Sequence, residues 1–162
     1  MLSCAVRVGV FPVILCLVLL AAACGAGDRG ATSTIDPAGL KPLDPNAVRQ
    51  GQQLYAANCA SCHGANGAGV ADWQKAGPDG AFPPPPHDST GHTWHHADGL
   101  LFRIIQQGCR LYQTGTTPCN MPAFGGVLDD VEIRAVIEFM KTWWGPRERE
   151  FQAAVTENEA MP

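Results

Sequence analysis

Five consecutive residues, Cys59-Ala60-Ser61-Cys62-His63, hold the densest reactive chemistry in the chain. Two thiols one helical turn apart beside an imidazole suit a redox dithiol, half of a zinc site, or covalent attachment of a porphyrin. A thioredoxin-like dithiol belongs near a strand–helix–strand pattern, and no segment alternates convincingly with period two. A zinc site needs a second ligand pair at similar spacing, which Cys109 and Cys119, with nine residues between them, do not supply. The attachment spacing fits: the thiols reach two vinyl groups of one ring while the imidazole points at its iron from the same side. The motif occurs once, so one haem is expected. Such a disc also fills a core short of aromatic residues, which make up 7% of the chain.

The 162 residues allow one ordinary domain with appendages. Low charge (16%) with 18 Gly and 13 Pro suggests a loop-rich fold. Residues 1–23 read as an export signal: Arg7, an apolar run, then Ala21-Ala22-Ala23. The apolar stretch 8–23 contains Pro12 and is shorter than the roughly 20 residues that cross a bilayer. Cys24 follows directly and resembles the lipid acceptor of bacterial lipoproteins, with Ala21 where that family usually carries Leu. The alternative is ordinary cleavage beside an unmodified Cys. Lipidation would anchor the chain to a membrane on its extracytoplasmic face, periplasmic or cell-surface. With Cys4 and Cys16 removed and Cys24 lipidated, Cys59, Cys62, Cys109 and Cys119 remain, an even number suited to an oxidising compartment. Loss of Arg7 leaves 10 basic against 15 acidic side chains, about −5. Basic residues are not clustered, so nucleic acid is not an expected partner.

Around the motif, residues 24–43 read as a flexible tether, 44–145 as the folded domain and 146–162 as an extension. Asp44-Pro45 should open a helix that runs through Gly51 and Tyr55 into Cys59. A second helix is expected from a capping Asp98 through Leu101 and Ile105 to Gly108. A third is capped by Asp129 with Glu132, carries Ile133, Val136, Ile137, Met140 and Trp144, and stops at Gly145-Pro146. Residues 64–96 have few regular signals, and the four prolines at 83–86 should be extended.

From about Asp44 to Trp144 this arrangement resembles the class I cytochrome c family. The resemblance implies an all-α fold, three to four main helices with long loops around one covalently bound haem c. It implies Cys59 and Cys62 as thioether attachments and His63 as one axial iron ligand. Met121, in Met121-Pro122-Ala123-Phe124, becomes the opposite ligand; on residue grounds alone a Met is also a common core filler. The N- and C-terminal helices should cross, Gly51 and Tyr55 meeting the Ile137, Met140 and Trp144 side. A proline carbonyl from 83–86 should accept the second ring proton of His63, unless the run is only a spacer. Cys109 and Cys119 read best as a disulfide stiffening the Met121 loop, with a redox or metal-binding pair as the alternative.

His87, His92, His95 and His96 fall within ten residues. They either decorate a loop beside the haem, His92 and Trp94 bonding a propionate, or bind Cu or Zn, or offer a rival sixth ligand. The leading expectation is a one-electron carrier without catalysis of its own, exchanging with a quinol-oxidising complex, a dehydrogenase or a terminal oxidase. The competing expectations are a haem enzyme or gas sensor with a labile sixth ligand, and a copper-handling lipoprotein. Residues beyond Gly145 are expected as a solvated helix or a docking arm.

Overall fold

The computed structural model describes residues 39–112 and 118–160; Cys24, the signal and most of the tether expected at 24–43 lie outside the described residues. Asp44 opens α1 (Pro45–Asn58), its carboxylate accepting from the Asn46 and Ala47 amides, with Pro45 in the first turn. A single further turn, α2 (Ala60–His63), continues through Cys59. A long irregular stretch ends in a 3-10 turn at Thr93–His95 and leads to α3 (Asp98–Gln107). Asp129 and Glu132 form a reciprocal capping box at the start of α4 (Asp130–Met140). Another 3-10 turn, Lys141–Trp143, turns the chain into α5 (Pro146–Ala160). Every regular element among the described residues is helical, as the all-α expectation required, and none of these helices is long and apolar enough to cross a membrane.

The main helix contact is α1 against α4. Gly51 makes it: a methyl group there would run into the Ala135 carbonyl and the Phe139 side chain. Tyr55, 1% exposed, lays its ring against Phe139 and Trp143, with centroids 5.6 and 5.0 Å away. The seam on the C-terminal side is thus Ala135, Phe139 and Trp143, four residues apart. The expected Ile137, Met140 and Trp144 are buried in the same core cluster as Tyr55. Helix α4 is apolar on several faces, so periodicity alone did not single out the one that meets α1.

Two elements depart from expectation. Asp98 is the first residue of α3 and not its cap; Ala97 holds the cap position without a side-chain bond. The Asp98 amide instead donates to Thr156 Oγ1 at 3.1 Å, so α5 caps α3. Helix α5 is therefore docked. Gln152 is 3% exposed and donates to Asp98 Oδ1 at 2.6 Å, while Lys141 pairs with Asp98 Oδ2 at 2.7 Å. Arg103 meets Glu159 at 2.7 Å, and Phe151 packs edge-on against Trp94 and His95. At the other end Leu40 is already buried and the Lys41 carbonyl accepts from Arg149, so the packed chain starts ahead of the expected Asp44.

Candidate functional site

Helix α1 delivers Cys59 half-buried against the core, and the single turn of α2 carries Cys62 to the surface and His63 to the interior. The Cys62 and His63 amides both return to the Cys59 carbonyl, at 3.1 and 3.0 Å, so the turn is closed on itself. Both thiols are free. Burial, then the neighbouring Cys62, pushes the Cys59 thiol up to about 11. A redox dithiol works through a thiol lowered below its ordinary value, so this pair is poorly suited to thioredoxin-like exchange.

Beyond the turn, the chain folds back onto the prolines. Gly69 N–H donates to the His63 carbonyl, Val70 N–H to the Pro84 carbonyl, and His87 N–H to the Gly67 carbonyl, at 2.8, 3.0 and 2.6 Å. Gly69 has φ +63, and a side chain on it would strike the backbone of Pro84, Pro85 and Pro86. This lacing sets the Pro85 carbonyl 3.0 Å from His63 Nδ1. The ring then carries its proton on Nδ1 and presents Nε2 as a bare lone pair. Burial lowers the His63 pKa, partly opposed by the Pro85 bond.

Met121 reaches the same core from the other side of the sequence. Its carbonyl accepts from the Cys109 amide at 3.0 Å, and the amides of Phe124 and Gly125 donate to Ile105 and Gln106 at the end of α3. Cys109 and Cys119 are joined as a disulfide with Cα atoms 5.5 Å apart, two residues before Met121. Asn120 is tied to Asp79 at 2.9 Å. The half-buried Met121 side chain packs on the core that also receives Cys59, Ala60 and Trp94.

Three of the four histidines stack on different rings, and His96 lies edge-on to His92 with centroids 5.2 Å apart. His87 stacks on His63, His92 on Trp73, and His95 on Trp94, with centroids 4.2, 5.0 and 3.7 Å apart. Among the described residues no group of three or more His, Cys, Asp or Glu is placed to hold a metal ion, so the expected alternative of a Cu or Zn loop finds no geometry here. Burial, then the adjacent His63 and His92, pulls His87 down to about 3.

A haem can be tested against these residues. An apolar cavity of about 380 Å³ is lined by Trp73, Gln74, Phe82, Pro83, Pro85 and His92, and thus shares the proline that orients His63. Two buried nitrogens, His92 Nδ1 and Trp94 Nε1, have no hydrogen-bond partner within the protein. Leaving such groups unpaired costs on the order of 1–3 kcal/mol each. The indole nitrogen is a donor only, so it requires an acceptor such as a carboxylate. Paired thiols, a bare imidazole nitrogen, a thioether and an orphan indole donor together fit a haem with its propionates. Thr93, Trp73 and Gln152 were missed in the sequence because each acts through a fold contact that no local spacing announces.

Residues 46–140 match the family described as cytochrome C oxidase, cbb3-type, subunit III. The match runs from α1 through α4, includes Cys59, Cys62, His63 and Met121, and ends before α5. The chain is also 31% identical over 103 residues to the gluconate 2-dehydrogenase cytochrome c subunit of Pantoea cypripedii, covering 59% of this chain and 20% of that one. It therefore spans about a fifth of that relative's length. No solved structure matches significantly. The chain belongs to the cbb3-type subunit III family of cytochrome c domains, a class I c-type cytochrome whose function is haem-based electron transfer.

Proposed function

We propose that the chain is a membrane-tethered carrier of single electrons, holding one haem c through thioethers from Cys59 and Cys62 with His63 and Met121 as axial ligands. The observation that carries this reading is the Pro85 carbonyl 3.0 Å from His63 Nδ1, which leaves Nε2 free to ligate. The bound haem supplies Fe(III)/Fe(II) exchange of one electron. The protein's part is to hold both ligands still and to exclude water, so that little rearranges as charge moves. The His63 turn is closed by the Cys59 carbonyl and braced by Tyr55, whose hydroxyl donates to the Gly64 carbonyl at 3.1 Å. The Met121 loop is pinned to α3 and bounded by the Cys109–Cys119 disulfide, which supports a fixed thioether over a labile one. Thioether ligation raises a haem potential relative to a second imidazole.

The oxidised protein is expected to show the weak far-red charge-transfer band of sulfur on ferric iron. Met121→Ala should abolish it and let the reduced protein bind carbon monoxide. Rapid, complete carbon monoxide binding by the unmodified protein would sink the carrier reading in favour of an enzyme or gas sensor. Cys24 is proposed as the lipid anchor, placing the domain on the extracytoplasmic side of a bacterial membrane. A dehydrogenase is a fitting partner class, with a quinol-oxidising complex or terminal oxidase as other exchange points. Against the net −5 of the processed chain, such a partner would offer a basic patch, and association would slow as salt rises.

A further inference from the structure

His87 is the member of the histidine-rich stretch that touches the candidate ligand. Its ring lies on the face of His63 with centroids 4.2 Å apart and planes 25° from parallel. Everything else about His87 is fastened. Its amide donates to the Gly67 carbonyl at 2.6 Å and its own carbonyl accepts from Trp144 Nε1 at 2.7 Å. Its Nδ1 is 2.9 Å from Thr93 Oγ1. Thr93 is 5% exposed, and its hydroxyl donates to the Pro86 carbonyl at 3.2 Å. With that proton committed, the Thr93 oxygen accepts from His87 Nδ1–H, which makes His87 a neutral ring held at both backbone and side chain.

The His63 side chain has one polar contact, from Nδ1 to Pro85. A single hydrogen bond at the rim of a ring fixes one point and leaves rotation of the ring plane about that direction. A flat neighbour at van der Waals distance removes this rotation. We infer that His87 is a positioning residue for His63, setting the angle of the axial imidazole plane by stacking on its face, and that Thr93 holds His87 in register. This rests on the reading of His63 as an iron ligand. The plane of an axial imidazole orders the iron d orbitals, so the clamp sets the magnetic anisotropy of the ferric site and limits ligand motion when the electron moves.

The test uses the ferric holoprotein. In His87→Ala the order and spread of the paramagnetically shifted haem-methyl NMR resonances should change while the low-spin absorption spectrum is retained. His87→Phe, which restores a flat ring without the Nδ1 donor, should move the pattern back toward the unmodified protein. Thr93→Val should shift it in the same sense as His87→Ala but less. A methyl pattern in His87→Ala identical to that of the unmodified protein overturns the clamp. Should His87→Ala fail to mature, a shifted pattern in Thr93→Val supports the clamp, and an unchanged pattern in Thr93→Val overturns it. Labelled-histidine spectra separate the two levels: if the shifted axial ring belongs to any histidine other than His63, ligand reading and clamp both fall, whereas a shifted His63 with an unmoved methyl pattern removes the clamp alone.

Discussion

Gly51 and the Cys59 turn depend on each other. Because Gly51 lets α1 sink onto Ala135 and Phe139, Tyr55 one turn later reaches the Phe139 and Trp143 rings and the Gly64 carbonyl, and the thiols follow at fixed height. Gly51→Val is expected to destabilise the holoprotein on the order of 1–3 kcal/mol or more, by overpacking a seam that has no slack. Denaturant unfolding reads this, and a change within about 0.5 kcal/mol, the range of a neutral surface substitution, would show that the helices have room to spare. At this scale the sequence was most informative where chemistry is local. Cys59, Cys62 and His63 sit on one turn, and Asp129 with Glu132 forms the capping box. Asp98 was misread because its carboxylate looks like a cap in a linear reading, whereas its partners Lys141, Gln152 and Thr156 lie 43 to 58 residues away.

Among the elements, α5 is the one whose role was hidden. Its charged run, Arg147 to Glu150, advertises solvent, while the residues that dock it, Gln152 and Thr156, are polar and show no apolar stripe. Periodicity of hydrophobic residues cannot find a helix that docks by hydrogen bonds. The bonds are specific, so their loss should be measurable. Thr156→Val is expected to lower stability by about 1 kcal/mol through loss of a helix cap. Gln152→Ala should lower it by about 1–3 kcal/mol, since it strips a partner from a half-buried carboxylate. Thermal unfolding of both variants, each with its haem spectrum unchanged, checks this. An unaltered melting temperature in the pair would mean that α5 is held by something other than these bonds. The long stretch 64–96 was legible only as irregular, because its order comes from backbone bonds between distant carbonyls and from Gly69, which no residue pattern encodes.

Taken whole, the molecule surrounds one turn of helix with laced loops and closes them with α4 and α5. Its histidines make it sensitive to acid. His92 and His96 are held below their ordinary 6.5, by burial first and then by neighbouring histidines. The unfolded chain therefore binds more protons than the folded one as pH falls through about 6.5, and stability present in full above that value is lost below it. Melting temperatures of the holoprotein should fall between about pH 7.5 and about pH 5; an equal or higher value on the acid side would contradict the burial of these rings. A different consequence follows from the Lys41 carbonyl that accepts from Arg149. The described chain begins at a point fastened to α5, with Leu40 pressed into the protein beside it. A pulling force applied from that side is borne first by this fastening and only afterwards by α1, so the helix that carries Cys59 is mechanically sheltered from strain on the leading segment.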